Sequence, residues 1–360
     1  MTRQDLLNIK IDEIEYGIYR DTKRLWDHLS KPIDGMGDFE EIVCRIAAIQ
    51  KTVNPDITDR ALIVFCSDNG IVSHGVTQSN QDVTKKVAEA LGAGKSTACM
   101  LAKNVNTNVI TIDVGINCNE SIKGVIDRKI AKGTKDFLVE PAMTENELFR
   151  AIEAGMNIVK EQMLVGTKLI ATGEMGIGNT TTSAAVLSAL LNIDSDVIVG
   201  RGAGLDDDRL KKKRQVVKAG LNKYRNCFAA ATGEDIRCLE ILRCIGGFDI
   251  AAMCGAFIGG AVYGIPVIID GVISAVAALA AEKLLPGTRM YMLASHNGRE
   301  KGTGLALNEL GLKASINGNM ALGEGTGALM MIPLIDSALY LYNNGIRFSE
   351  AGIEDYERFN

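Results

Sequence analysis

Three glycine-rich segments place a carboxylate or a cation where it can meet a ligand. In Leu322-Gly323-Glu324-Gly325-Thr326-Gly327 one acid stands between glycines, immediately before an apolar helical pattern. An acid at a helix start can simply cap the helix, but Glu is not a favoured N-cap and capping does not need glycine on both sides. Flanked by bare backbone, Glu324 can reach a ligand past no neighbouring side chain, which makes it a candidate general base.

The second segment, Gly173-Glu174-Met175-Gly176-Ile177-Gly178-Asn179-Thr180-Thr181, brings backbone amides close to a ligand where a helix begins. Helix N-termini bind phosphate. Glu174 would repel a phosphate and so fits better facing a base or a ribose hydroxyl. The third, Gly200-Arg201-Gly202-Ala203-Gly204, precedes Lys211, Lys212, Lys213 and Arg214 by about two helical turns. One of these lysines would neutralise a phosphate; the alternative for each is a solvated helix face. A lone Gly-x-Gly is more often a turn than a site, whereas three such loops in one parallel sheet favour anion binding. Gly94-Lys95-Ser96-Thr97 is not a P-loop, since position 89 is Glu and no strand precedes it; it reads as a break beside a helix.

The elements that must position these loops alternate along the chain. Short β-branched runs at Ala61–Ser67, Val109–Val114, Leu169–Thr172, Val197–Val199, Val267–Asp270 and Tyr291–Ala294 are expected strands. Expected helices lie at Val83–Ala102, Glu145–Leu164, Thr181–Leu191, Asp206–Leu221, Asp235–Ile245, Ile250–Tyr263 and Gly271–Leu285. Such alternation implies α/β architecture with a parallel sheet. Ligands of open α/β sheets bind beyond the carboxyl ends of the strands. Four polar loops fall there: Ser67-Asp68-Asn69-Gly70, Gly173 to Gly176, Asp270-Gly271 and Ser295-His296-Asn297. The two chain ends are helical in pattern. The expected division is a large domain at 50–326 and a small helical domain from 1–49 with 327–360.

Composition narrows the function. The chain has 360 residues, 47% hydrophobic, a formal charge of −5 and a pI near 5.5. That argues against nucleic acid or anionic lipid as partner and for a small molecule. The charge-free stretch Ile250 to Ile269 is long enough to suggest a membrane span. Gly259, Gly260, Gly264 and Pro266 divide it into a helix and a strand of a buried core. Eight scattered cysteines without a C-x-x-C pair, and only three histidines, suggest reduced core thiols and no metal site. The N-terminus passes directly into a charged amphipathic stretch, so a cytoplasmic location is expected.

Taken together, several segments resemble the nicotinate-nucleotide:dimethylbenzimidazole phosphoribosyltransferases, in order from about Leu29 to Ile353. They are Lys31-Pro32 with Gly37 and Glu40, Val76 to Thr84, Asp113-Val114-Gly115, Glu140 to Thr144, Gly173 to Thr181, Gly246-Gly247-Phe248-Asp249, Asp270-Gly271 and Leu322 to Ala328. The resemblance implies a Rossmann-like parallel sheet with helices on both faces, a small helical domain built from both termini, and a homodimer. It implies transfer of ribose phosphate from nicotinate mononucleotide to an aromatic base acceptor, with inversion at C1′. Because the departing pyridinium is already cationic, no cofactor or metal is expected.

By the same resemblance Glu324 is the base and Glu174 lies near the reacting centre. Gly176, Asn179, Thr180, Gly202, Lys213, Ser295, Gly323 and Gly325 are expected to bind the nucleotide and its phosphate. Thr77, Ser79 and Gln81 fall where the acceptor is contacted. His74 and His296 are possible further contacts. The chain departs from the family pattern at Asn69, where His is usual, at Ala203, where Thr is common, and at Ala321, where Arg usually stands. Loss of an Arg three residues before Glu324 would remove a positive neighbour and raise that carboxylate's basicity. The acceptor therefore stays open between 5,6-dimethylbenzimidazole or a related azole and phenol or p-cresol, and a weakly active subunit needing a partner is the remaining alternative.

Overall fold

A computed structural model describes residues 1–358; Phe359 and Asn360, the end of the expected small domain, lie outside the described residues. The chain opens with helices α1 (Arg3–Leu7), α2 (Tyr16–Asp27) and α3 (Asp38–Gln50), then strand β1 (Arg60–Ser67). Next come α4 (Asp82–Gly92), α5 (Thr97–Asn104), β2 (Asn108–Gly115), β3 (Ile126–Asp127), α6 (Glu145–Leu164) and β4 (Leu169–Met175). The central helices are α7 (Asn179–Leu191), α8 (Ser195–Ile198), α9 (Asp207–Ala230), α10 (Glu234–Ile245) and α11 (Phe248–Tyr263). The chain closes with β5 (Val267–Ile269), α12 (Val272–Leu284), β6 (Met292–Ala294), α13 (Lys301–Leu310), α14 (Thr326–Asn344) and α15 (Phe348–Ala351).

The strands form one sheet in the order β3-β2-β1-β4-β5-β6, every pairing parallel. This is the Rossmann order, and β1 is apolar nearly throughout because both of its faces are covered. Ile63 and Phe65 join a core with α6, α7 and α9 to α12. Leu62, Val64 and Cys66 join the opposite core, with α3, α4, α5 and α14. The helices thus lie on both faces.

The stretch that suggested a membrane span is α11 followed by β5. Glycines on both helices let α6 pack against α11: a Cβ at Gly155 of α6 would lie 1.8 Å from the Ala252 carbonyl, and one at Gly255 of α11 would lie 1.9 Å from that of Ile152. The two helix backbones touch, an approach only glycine allows. Among the described residues no helix is long and apolar enough to cross a membrane.

Three sequence expectations need correction. Val197–Val199 is not a strand: Asp194 caps α8, with its side chain accepting from the Asp196 amide, and local capping outweighs three β-branched residues. The helix expected over Val83–Ala102 breaks at Gly94, whose φ is +69°, and Ser96 caps a fresh helix through the Cys99 amide. The helix expected to end at Leu221 continues to Ala230, because Tyr224 and Phe228 extend its buried stripe. Helix α13 was not anticipated; within it Gly302 is buried, and a Cβ there would meet Val272 at 2.9 Å.

The chain ends meet. Leu29 bridges Arg347, the Trp26 ring packs against Tyr342 with centroids 5.2 Å apart and planes tilted by 49°, and buried Glu40 receives Lys31 at 2.6 Å and Lys23 at 3.1 Å. Helices α3 and α14 also share one continuous apolar cluster with the sheet.

Candidate active site

Strand order reverses between β1 and β4, and at this switch point the loops beyond the strands splay apart to leave a crevice. A cleft of about 330 Å³ opens there. Glu174, Gly176, Asn179, Thr180, Gly202, Gly323 and Glu324 line it. The three glycine loops, far apart in sequence, meet in one place.

Backbone strain marks the Glu324 loop. Gly323, Glu324 and Gly325 all have positive φ, at 87°, 58° and 81°. Glycine adopts this region freely, but an L-residue such as Glu pays about 1–2 kcal/mol. Compactness explains the turn: a Cβ at Gly173 would lie 2.7 Å from the Glu324 carbonyl carbon, and one at Gly323 would lie 2.8 Å from Glu174 Oε1. Asp270, just after β5, holds the loop from below. Its Oδ1 accepts from the amides of Gly327 at 2.8 Å and Ala328 at 3.0 Å, and its Oδ2 from Gly325 at 3.2 Å. A foreign carboxylate therefore caps α14, so the strained turn costs no orphaned donors. Oε2 of Glu324 is buried and has no hydrogen-bond partner among the described residues, leaving an acceptor free for a ligand proton.

Glu174 faces the opposite balance. It is only 8% exposed, and its carboxyl is pushed up to about 8, first by burial and then by the charges of Asp249 and Asp270; the Asn179 amide partly opposes the rise. Asn179 bridges two acids, donating to Glu174 Oε2 and, at 3.1 Å, to Asp249 Oδ2. Burial likewise raises Asp249 to about 6. Burial and the neighbouring acids thus favour the protonated form of Glu174, and an arriving cation would favour release of that proton.

At the other end sits Lys213. Lys211, Lys212 and Arg214 are exposed, whereas Lys213 is 1% exposed. Its Nζ donates to Thr180 Oγ1 at 2.9 Å, and burial lowers it to about 8. It backs the wall rather than lining the cleft. Ser295 is likewise set back, donating to the Ile269 carbonyl at 2.6 Å and lying 2.9 Å from His296 Nδ1. Gly325 is buried beneath the turn.

Of the three acceptor-segment residues, Ser79 lines the cleft. Thr77 donates to the Ser79 carbonyl at 2.5 Å and Gln81 to the Asn69 carbonyl at 3.2 Å, so both brace the loop. His296 lines the cleft, while His74 turns away to Asp136 at 2.6 Å. Asn69 is fully buried and lies against the Gly176 and Gly247 turns beside Asp249. Ala203 and Ala321 both line the cleft.

Sequence reasoning missed the apolar wall of Val83, Val87, Met175, Met320 and Leu322, along with Arg299 and Glu300. The capping role of Asp270 was also missed, although its place after a strand was the available signal. Outside the cleft, Cys227, Glu240 and Cys244 offer ligand atoms within 4.8 Å of one another. Arg243 already pairs with Glu240 at 2.7 Å, which opposes a cation at that spot.

Residues 11–353 match a family model described as phosphoribosyltransferase. The chain is 38% identical over 335 residues to a nicotinate-nucleotide--dimethylbenzimidazole phosphoribosyltransferase of Acetivibrio thermocellus, covering 93% of each. It is 38% identical over 357 residues to a protein of the same name from Ruminiclostridium cellulolyticum, covering 99% of each. A crystal structure of CobT from Thermus thermophilus superimposes with a TM-score of 0.87 at 33% identity, covering 94% of this chain and 99% of that one. Ordered motifs, Rossmann strand order and near full-length similarity agree: the chain belongs to the nicotinate-nucleotide--dimethylbenzimidazole phosphoribosyltransferase family.

Proposed function

We propose that this protein transfers the phosphoribosyl group of nicotinate mononucleotide to 5,6-dimethylbenzimidazole or a related azole, giving α-ribazole 5′-phosphate and nicotinate. The observation that carries the reading is the unpartnered Oε2 of Glu324, held on a strained turn beside the cleft. The C1′–nitrogen bond to the cationic pyridinium breaks, and its electron pair leaves with nicotinate. A ring nitrogen of the acceptor forms the new bond from the opposite face, inverting C1′, and its N–H proton passes to Glu324. General-base assistance of this kind contributes typically ~10²- to 10⁴-fold.

Glu174 faces the positive charge that develops on the ribosyl centre and ionises in response. Asn179 holds its orientation through the bridge to Asp249. Gly176, Thr180, Gly202 and Lys213 take the phosphate end, and Ser295 positions His296 and the strand end behind it. The flat apolar wall of Val83, Val87, Met175 and Leu322, with Ser79 at its edge, suits an aromatic acceptor. Thr77 and Gln81 shape that edge. Aligning two substrates in one cleft supplies much of the remaining acceleration.

A homodimer in the cytoplasm belongs to the same proposal; exposed Met100, Met330 and Leu334 are large apolar side chains that a partner would cover. So does a division into a large domain at 50–326 and a smaller helical unit from 1–49 with 327–360, supported by the Leu29–Arg347 bridge. The test is to incubate the purified chain with nicotinate mononucleotide and, separately, 5,6-dimethylbenzimidazole, other azoles, phenol and p-cresol. Nicotinate release with an azole is expected. Turnover with phenols alone would overturn the acceptor assignment, and no turnover without a second subunit would overturn the claim of a self-sufficient enzyme.

A further inference from the structure

The phosphate end of the cleft already holds an anion that belongs to the protein. Gly202 donates its amide to Glu300 Oε1 at 2.8 Å. Gly200 is shaped around the same carboxylate: a Cβ there would lie 1.7 Å from Glu300 Oε2. Glu300 occupies the N-cap position of α13, yet its side chain caps none of that helix's amides and crosses instead to the glycine loop. The groups left around it favour negative charge. Among the described residues no side chain caps α13 and the buried Thr303 hydroxyl in the cleft wall has no partner, while Lys213 lies behind Gly202, whose Cβ would be 3.5 Å from its Nζ. Burial lowers Lys213 and the charge of Glu300 opposes that effect, so the two groups sense each other.

We infer that Glu300 is a resident occupant of the phosphate seat, a tethered carboxylate that takes the Gly202 amide while the cleft is empty and that the phosphate of the incoming nucleotide displaces. The inference rests on the reading of this cleft as a nucleotide site. An amide makes one strong hydrogen bond, so Gly202 cannot serve both anions. A phosphate dianion beside a fixed carboxylate would also be repelled. The Glu300 carboxylate compensates the buried Lys213 charge at a distance and the Gly202 amide directly, which helps hold the glycine loop in its shape. Charge is then exchanged on binding rather than accumulated.

Isothermal titration with inorganic phosphate and with ribose 5-phosphate, on the wild type and on Glu300→Gln, tests this. The amide can still accept from Gly202 but carries no charge. Phosphate Kd is expected to fall about tenfold or more, close to 1.4 kcal/mol, and KM for nicotinate mononucleotide should fall with it. An unchanged or weaker phosphate Kd overturns the inference, since a merely structural contact has no means of tightening when weakened. Should the variant fold poorly, a crystal of the wild type soaked in inorganic phosphate decides instead: phosphate on the Gly202 amide with Glu300 turned away supports displacement, and Glu300 still bonded to Gly202 refutes it. Nicotinate release by the wild type is measured on the same preparation. Turnover without tighter phosphate binding sinks only the role of Glu300, whereas absence of turnover with every acceptor sinks the functional reading itself.

Discussion

Glu174→Gln should stabilise the empty protein increasingly as pH rises, while reducing its activity. In the folded chain the carboxyl sits at about 8, against 4.5 for an ordinary Glu. For a group raised on folding, the stability it contributes is fully present below about 4.5 and is lost as pH climbs through about 8. Each pH unit in that window costs about 1.4 kcal/mol, so ionising Glu174 destabilises the wild type by up to about 5 kcal/mol at alkaline pH. Gln has nearly the same shape, keeps an oxygen for the Asn179 amide and never ionises. The variant and the wild type should therefore unfold at similar urea concentrations at pH 4.5, with the variant ahead by several kcal/mol at pH 8.5. Buried Trp26, the single tryptophan, supplies the fluorescence signal. Nicotinate release by the variant should drop at least ~10-fold, because a neutral amide cannot become the anion that meets a cationic ribosyl centre. A stability difference that stays constant between pH 4.5 and 8.5 would refute the argument.

Glu324→Gln should lower nicotinate release by ~10²- to 10⁴-fold with little change in fold; a rate within a few-fold of wild type would remove Glu324 as the base. Asp270→Asn replaces a carboxylate that receives three amides with a group offering one acceptor oxygen. Unfolding titrations should register a loss of about 2–4 kcal/mol, and activity should fall as the Glu324 turn loosens. Lys213 sits at about 8, below the usual 10.5, so its burial penalty is present below about 8 and gone above about 10.5. Lys213→Met should accordingly stabilise the empty protein by about 3 kcal/mol at pH 7 yet weaken phosphate binding. In the wild type, calorimetry should show phosphate affinity declining as pH passes 8.

Much of the site was legible because its chemistry is written in local grammar. Glycine beside an acid, glycine before a helix and polar residues after a strand are short-range patterns, and they led to Glu324, the Glu174 loop, the Gly202 loop and the Asp270 loop, while the family resemblance added Asn179. Helix α6 was readable in full because Thr144 and Glu147 form a capping box before a clean amphipathic run. Val197–Val199 was misread because the Asp194 cap outweighs three β-branched residues, and α13 was not read at all, its glycines being accommodated by tertiary packing of Gly302 against Val272.

What the sequence by itself determined, then, is the alternation that builds a doubly covered parallel sheet, the glycine loops at its carboxyl edge, and the family. Periodicity and backbone freedom are properties of neighbouring residues, so they survive without coordinates. Only the tertiary structure decided which lysine of the basic run turns inward, that Asp270 caps a helix more than fifty residues away, that burial and neighbouring acids push the Glu174 carboxyl up and that Glu300 accepts from the Gly202 amide. Each of these depends on desolvation and on charges brought together from distant segments, and neither quantity exists until the chain has folded.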